Sequence, residues 1–325
     1  MPRQARLDSP GTLHHIMVRG IEGRVIVCDD QDRKDFLSRL GRIASETDTA
    51  IYAWALMNNH AHILLRSGPT GLPHFMRRLL TGYATYHNRR HQRHGHLFQN
   101  RYKSIICEEE PYFKELLRYI HLNPLRAGQV ESLDMLDRYR WCGHAVVVGS
   151  MKNDWQDRDY VLKWFGLRYG QAKNAYRRFI QQGMDQGHRP DLVGGGLIRS
   201  QGGWASVQAM RRAGIREKSD ERILGGGEFV MQLIRQCDES RRKHFSAHER
   251  LQSIPLVIEE VCKKQQVTVE EIRSGNRRHQ VSRVRSELAK ILVEDYGLSL
   301  TEAGGNLGVS PPAVSRLIRR FRKKV

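Results

Sequence analysis

A chain of 325 residues is long enough for two or three domains, and 54 Lys and Arg against 35 Asp and Glu give it a formal charge of +19. Such an excess calls for a polyanionic partner, nucleic acid before an acidic membrane surface, since no long basic amphipathic segment stands outside the folded pattern. The five cysteines, Cys28, Cys107, Cys142, Cys237 and Cys262, are odd in number and form no C-x-x-C, which argues against a disulfide framework or a zinc knuckle and fits a reducing cytoplasm. No apolar leader and no run of 18 apolar residues is present, so neither secretion nor a membrane span is expected.

In chain order, "TLHHIMVRG" (Thr12 to Gly20) alternates like a strand. "DQDRKDFLSRLGRIASETD" opens on aspartates that can cap a helix and repeats Phe36, Leu37, Leu40 and Ile43 at helical spacing. "IYAWALM" and "HAHILLR" are strand-like runs joined by a hairpin-compatible "NN". A basic helix follows over 71–94, then the strand "RYKSIIC", then the helix "EEEPYFKELLRYIHLNPLRAG" with Pro111 near its start and Asn123-Pro124 near its end. The first six elements of this β-α-β-β-α-β-α order predict an α+β fold, a ferredoxin-like antiparallel sheet with helices on one face.

Around "GSMKNDW" the pattern changes and a domain boundary near residue 150 is expected. Residues 151–249 read as a helical and Gly-rich connecting region; the triple glycine of "DLVGGGLIRSQGGW" lacks the Lys-Ser/Thr of a phosphate loop and reads as a turn, as does that of "GGGEFVMQLIRQC". From residue 250 the chain is helical. "LSLTEAGGNLGVSPPAVSRLIRRFRKKV" has a helix-turn-helix pattern: Leu300, Ala303 and Leu307 line one helix, Gly308 makes the turn, Ser310 caps the next helix, and Pro stands near its start. Residues 250–325 are therefore read as a DNA-binding domain, with Ser315, Arg316 and Arg319 as the groups that meet duplex DNA.

Two patterns carry chemistry. In a strand, residues two apart share a face, so His60 and His62 present two imidazoles side by side, a metal-ligand arrangement. On the helix after the fourth strand, Tyr119 and Asn123 stand at i and i+4 beside an apolar stripe of Phe113, Leu116, Leu117 and Ile120, with Tyr119 outside that stripe. His14-His15 and the group His87, His91, His94 and His96 read as surface or phosphate-facing histidines with no metal role. The basic helix with Arg101, Lys103 and Arg118 supplies phosphate contacts, and Tyr83, Tyr86 and Phe98 are candidates for base stacking, core packing being the simpler reading of each.

The succession "MNNHAHILL", "GHLFQNRYKS" and "LRYIHLNPLRAG" resembles the HUH single-strand DNA transposases of the insertion-sequence type, and most the REP-associated tyrosine transposases, over residues 8–150. The resemblance implies His60 and His62 as metal ligands, Tyr119 as the nucleophile, and Asn123 as the third ligand where the family has glutamine. Ala61 is smaller than the usual residue between the histidines, and Asn58 stands where proline is common. The activity implied is that of a metal-dependent endonuclease and strand transferase, working with Mg²⁺ or Mn²⁺ through a 5′-phosphotyrosine on single-stranded DNA flanked by hairpins. The C-terminal part resembles the helix-turn-helix domain of the bacterial chromosomal replication initiator. The competing expectation is a DNA-binding regulator that keeps the fold without turnover.

Overall fold

The computed structural model describes residues 7–187, 189–196, 218–276, 278–296 and 298–322. It divides into two compact units, 1–238 and 239–325. In the first, β1 (Leu13–Arg19), α1 (Asp30–Glu46), β2 (Ala50–Leu56), β3 (His60–Arg66), α2 (Leu72–Arg90), β4 (Lys103–Cys107) and α3 (Glu109–His121) follow the order expected from the sequence. The strands align β2-β3-β1-β4, each antiparallel to its neighbour. Asp29 caps α1 by accepting from the Gln31 and Asp32 amides.

Helices cover both faces of the sheet, not one. Ile16, Val18, Trp54, Ala61, Ile63 and Leu65 pack with Phe36, Leu40, Phe75 and Leu79 of α1 and α2. The alternate positions Leu13, Tyr52, Leu64 and Ile105 pack with Phe113, Leu116, Leu117 and Ile120 of α3. The reason is visible in the strands, which are apolar at successive residues; a sheet with one wet face would be polar at every second one.

The change of pattern near residue 150 is not a boundary. Short helices α4 (Asn123–Arg126), α5 (Leu133–Asp137), α6 (His144–Val147) and α7 (Arg158–Lys163) lead to α8 (Tyr169–Gln181). Val161, Leu162, Ala172, Tyr176 and Ile180 from this stretch share the core of the α3 face. Trp155 lies against Trp54 at 5.5 Å, and a Cβ on Gly41 would sit 2.2 Å from the Trp155 ring, so α1 needs glycine there. The Tyr176 hydroxyl bridges His121 and His144, both at 2.7 Å, and His144 is held in turn by Asp137 at 2.8 Å. A fifth strand, β5 (Ile223–Leu224), adds parallel to β4 and leads into α9 (Gly227–Lys264). The Gly-rich turn expected over 191–204 lies largely outside the described residues.

In the second unit the end of α9 packs with α10 (Val269–Arg273), α11 (His279–Lys290), α12 (Leu300–Leu307) and α13 (Pro311–Arg322) around Ile258, Val284, Leu288, Ala303, Leu307 and Val314. Ser299 and Glu302 form a capping box at the start of α12. Gly308 turns at φ +65°, and a Cβ there would meet the Arg273 carbonyl at 2.2 Å, so both backbone and space demand glycine. The expected helix-turn-helix is present, with Leu300 exposed rather than in its lining. Among the described residues no helix is long and apolar enough to cross a membrane.

Candidate active site

The α3 face of the sheet carries the site. Because β1 and β3 pair antiparallel with Met17 opposite His62, the positions His15, His60 and His62 stand on one face, towards α3. His15 and His62 are buried, 0% and 6% exposed. Their rings stack at 5.2 Å, and His62 meets His60 edge to face, also at 5.2 Å. From the opposite layer the Tyr119 ring approaches His62 at 5.6 Å and His15 at 5.9 Å, both edge-on. Helix α3 thus delivers its tyrosine onto the His15–His62 pair, one ring from β1 and one from β3. Tyr119 is not beside the apolar stripe but in it, only 6% exposed. The Arg126 guanidinium lies 5.5 Å from its ring.

Hydrogen bonds fix which ring nitrogens are available. A carbonyl can only accept, so His15 Nδ1–H donates to the Leu192 carbonyl at 3.1 Å. The neutral ring then has its lone pair at Nε2, which accepts from His62 Nδ1–H at 3.0 Å. That leaves the lone pair of His62 at Nε2. His60 reaches the same state separately. The Asn59 amide nitrogen donates to the Gly23 carbonyl at 3.1 Å, so its oxygen faces His60 and accepts from Nδ1–H at 2.7 Å. Burial keeps these rings neutral: desolvation holds His62 well below the ordinary histidine value, lowers His60 with help from Arg19, and brings His15 down to about 4.

Neutral imidazoles with the second nitrogen anchored are the form in which histidine binds a metal. Asn123 opens α4 one turn beyond Tyr119, and its buried side-chain nitrogen has no hydrogen-bond partner. That nitrogen is an N–H donor, which a cation cannot satisfy, so the fit to a metal rests on the histidines. The two anchored imidazoles, each with its lone pair at Nε2, fit a divalent cation at His60 and His62.

The other expected site residues are distributed differently. Arg101 and Lys103 are exposed, with Lys103 Nζ donating to the Val193 carbonyl at 2.5 Å. Arg118 is buried; it donates to both Glu115 oxygens at 2.7 Å and lies over Phe179 at 4.2 Å, so its charge is spent inside the protein. Tyr83 is a core residue whose hydroxyl donates to the Ile26 carbonyl at 2.5 Å. Tyr86 and Phe98 are half-buried and pack on the α1/α2 core. Ser315, Arg316 and Arg319 lie on the exposed face of α13, opposite Val314 and Leu317.

His15 is a member of the candidate site that sequence reasoning missed. His14 and His15 are both fully buried rather than at the surface. His14, on the other face, sits between the hydroxyls of Thr12 and Ser104 at 2.8 and 2.9 Å. The signal for His15 was its place in an apolar strand: a histidine buried there must find partners.

A sequence profile for the family described as "Transposase IS200 like" matches residues 11–123. Among solved structures, that of a REP-associated tyrosine transposase bound to a REP hairpin is similar at 14% identity and a TM-score of 0.40, covering 48% of this chain and 94% of that one. No protein of curated function matches the chain.

Proposed function

We propose, from the match of residues 11–123 to the IS200-like transposase family, that the chain nicks and rejoins single-stranded DNA at hairpin-flanked sites, with Tyr119 as nucleophile. The observation that carries this reading is the meeting of Tyr119 with the His15–His62 pair across the sheet–helix interface.

His60 and His62, each offering Nε2, would hold a divalent cation, Mg²⁺ or Mn²⁺, with the Asn123 amide oxygen as third ligand. The ion would supply charge neutralisation at the scissile phosphate. The chain's own part is positional. Tyr119 Oη forms a bond to phosphorus as the P–O3′ bond breaks, leaving a free 3′-hydroxyl and a 5′-phosphotyrosine. The phenolic proton has to leave as that bond forms. Attack by a 3′-hydroxyl on the phosphotyrosine reverses the exchange, so the phosphodiester energy is conserved and no nucleotide is consumed. Arg101 and Lys103, both exposed, are the phosphate contacts of this unit; Arg118 is not one. Residues 239–325 would bind duplex flanks through Ser315, Arg316 and Arg319 on α13.

One observation favours a second reading, a DNA-binding regulator without turnover: Tyr119 is almost fully covered. Incubation of the full chain with a labelled single-stranded hairpin oligonucleotide and Mn²⁺ separates the two. A covalent DNA–protein band that Tyr119→Phe abolishes establishes the transferase. Retained binding without any band establishes the regulator.

A further inference from the structure

On the opposite face of the sheet a second group of side chains gathers, and the strand-transfer reading makes no use of it. Cys28 lies just before the cap of α1 and Asp32 in its first turn. His87 and His91 stand one turn apart at the end of α2. One ligand atom from each, sulfur, carboxylate oxygen and two ring nitrogens, lies within 4.8 Å of all the others. Cys28 Sγ is 3.8 Å from His87 Nε2, which is 4.0 Å from Asp32 Oδ2, and Asp32 Oδ2 is 2.8 Å from His91 Nε2.

Part of this group is explained by hydrogen bonds alone. Asp32 is fully buried, but its Oδ1 accepts from Arg90 at 2.5 Å and its Oδ2 from the Cys28 amide at 2.8 Å and from His91. His87 is not explained. Its ring is 1% exposed, Nδ1 is buried with no hydrogen-bond partner, and Nε2 faces only a thiol and a carboxylate at tetrahedral-edge distances. Its Nε2, facing sulfur and carboxylate oxygen at 3.8 and 4.0 Å, is placed as a ligand would be, while Nδ1 takes no part.

We propose that Cys28, Asp32, His87 and His91 bind one zinc ion, separate from the His60/His62 centre. The donor set is mixed sulfur, nitrogen and oxygen with four members, which suits a tetrahedral, borderline-soft cation better than Mg²⁺. The charges close as well: Zn²⁺ with one thiolate and one carboxylate is neutral. On binding, the Cys28 thiol loses its proton to solvent, which it can reach because the residue is exposed. His91 gives up its Nε2–H···Asp32 bond and carries its proton on Nδ1. The ion would staple the start of α1 to the end of α2. It would also anchor Ile26 and Val27, whose amides donate at 2.7 and 3.2 Å to the Asn58 carbonyl, just before His60.

The test uses the full-length chain purified with zinc supplementation, then exchanged into cobalt. Elemental analysis is expected to find about one zinc per chain, and the cobalt form to show a thiolate-to-cobalt charge-transfer band that no His60/His62 centre can produce. Cys28→Ser removes the band, and Cys28→Ser and His91→Ala each lose the zinc, with unchanged circular dichroism showing that they fold. His60→Ala/His62→Ala keeps both zinc and band. A wild-type chain that takes up no zinc at micromolar concentrations, or a band that survives in Cys28→Ser, overturns the proposal and leaves Asp32, Arg90 and His91 as an ion-pair network. Neither outcome depends on strand transfer, which is scored separately by the covalent adduct.

Discussion

The two units place their working groups in opposite ways. In residues 1–238 the candidate chemistry is buried: His15, His62 and Tyr119 are almost without exposure, and each ring is oriented by a neighbour. In residues 239–325 the candidate contacts, Ser315, Arg316 and Arg319, all project from one exposed helix face while Val314 and Leu317 hold the helix down. Burial lets the protein choose which nitrogen of an imidazole carries the proton, which an exposed ring would leave to solvent. Exposure keeps a guanidinium free to displace counterions from phosphate. One unit is arranged for geometry and the other for charge.

The sharpest way to break this contrast is to remove one oxygen atom from the buried site. Tyr119→Phe is expected to abolish the covalent adduct while leaving single-strand and duplex binding near wild type. His60→Ala, His62→Ala and chelation by EDTA are expected to abolish cleavage too, with Asn123→Gln tolerated better than Asn123→Ala. An adduct still formed by the Phe variant would move the nucleophile elsewhere, with Tyr112 the next candidate.

A smaller effect is expected at His15. His15→Phe keeps a ring in the core but removes the acceptor that sets the His62 tautomer. Loss of such an outer partner costs roughly 10–100-fold in metal affinity or activity. Titration of cleavage against Mn²⁺ should show the curve moved to higher metal concentration, with His15→Gln partly restoring it. An unmoved curve would mean that the His15 contact is packing only.

Truncation probes the division of the chain. Ending it after Asp238 is expected to preserve nicking and weaken duplex binding. Ending it near residue 150 removes Val161, Tyr176 and Ile180 from the α3 core; at about 2–5 kcal/mol for each large side chain lost from a core, that fragment should fail to fold. A soluble 1–238 fragment that binds duplex as tightly as the full chain would refute the role given to α13.

Acid should unfold the first unit before the second. His14 is held down to about 3 and His121 well below the ordinary histidine value, both by burial. Their native values lie under the unfolded value near 6.5, so the unfolded state binds more protons between them. The stability these neutral rings contribute is complete above about pH 6.5 and is lost as pH falls through that window. Thermal midpoints measured at steps from neutral pH downward should fall for 1–238, whereas in residues 239–325 the histidine whose side chain is described, His279, is exposed. The smallest effect belongs to Arg316→Ala and Arg319→Ala, each expected to reduce the salt dependence of duplex binding by about one counterion with nicking unchanged.

Periodicity and turn chemistry were enough to place the strands and helices of residues 12–123, because alternation and helical spacing are local properties of the chain. The i, i+2 histidines and the helix-borne Tyr119 were legible for the same reason, and so was the helix-turn-helix, whose glycine and capping residues act within a few positions. Which face a neutral-looking side chain would meet was not local. Arg118 reads as a free cation until Glu115 and Phe179 close on it, and the choice between core packing and base stacking at Tyr83 stays open until Ile26 takes its hydroxyl. His15 gains its role only because strand pairing sets it against His62, 47 residues away, and because Leu192, 177 residues away, fixes its proton. Cys28 and His87 meet across 59 positions of sequence. A hydrogen bond or a ligand set is a coincidence of directions in space, and directions between distant residues are decided when the sheet and its two helical layers pack.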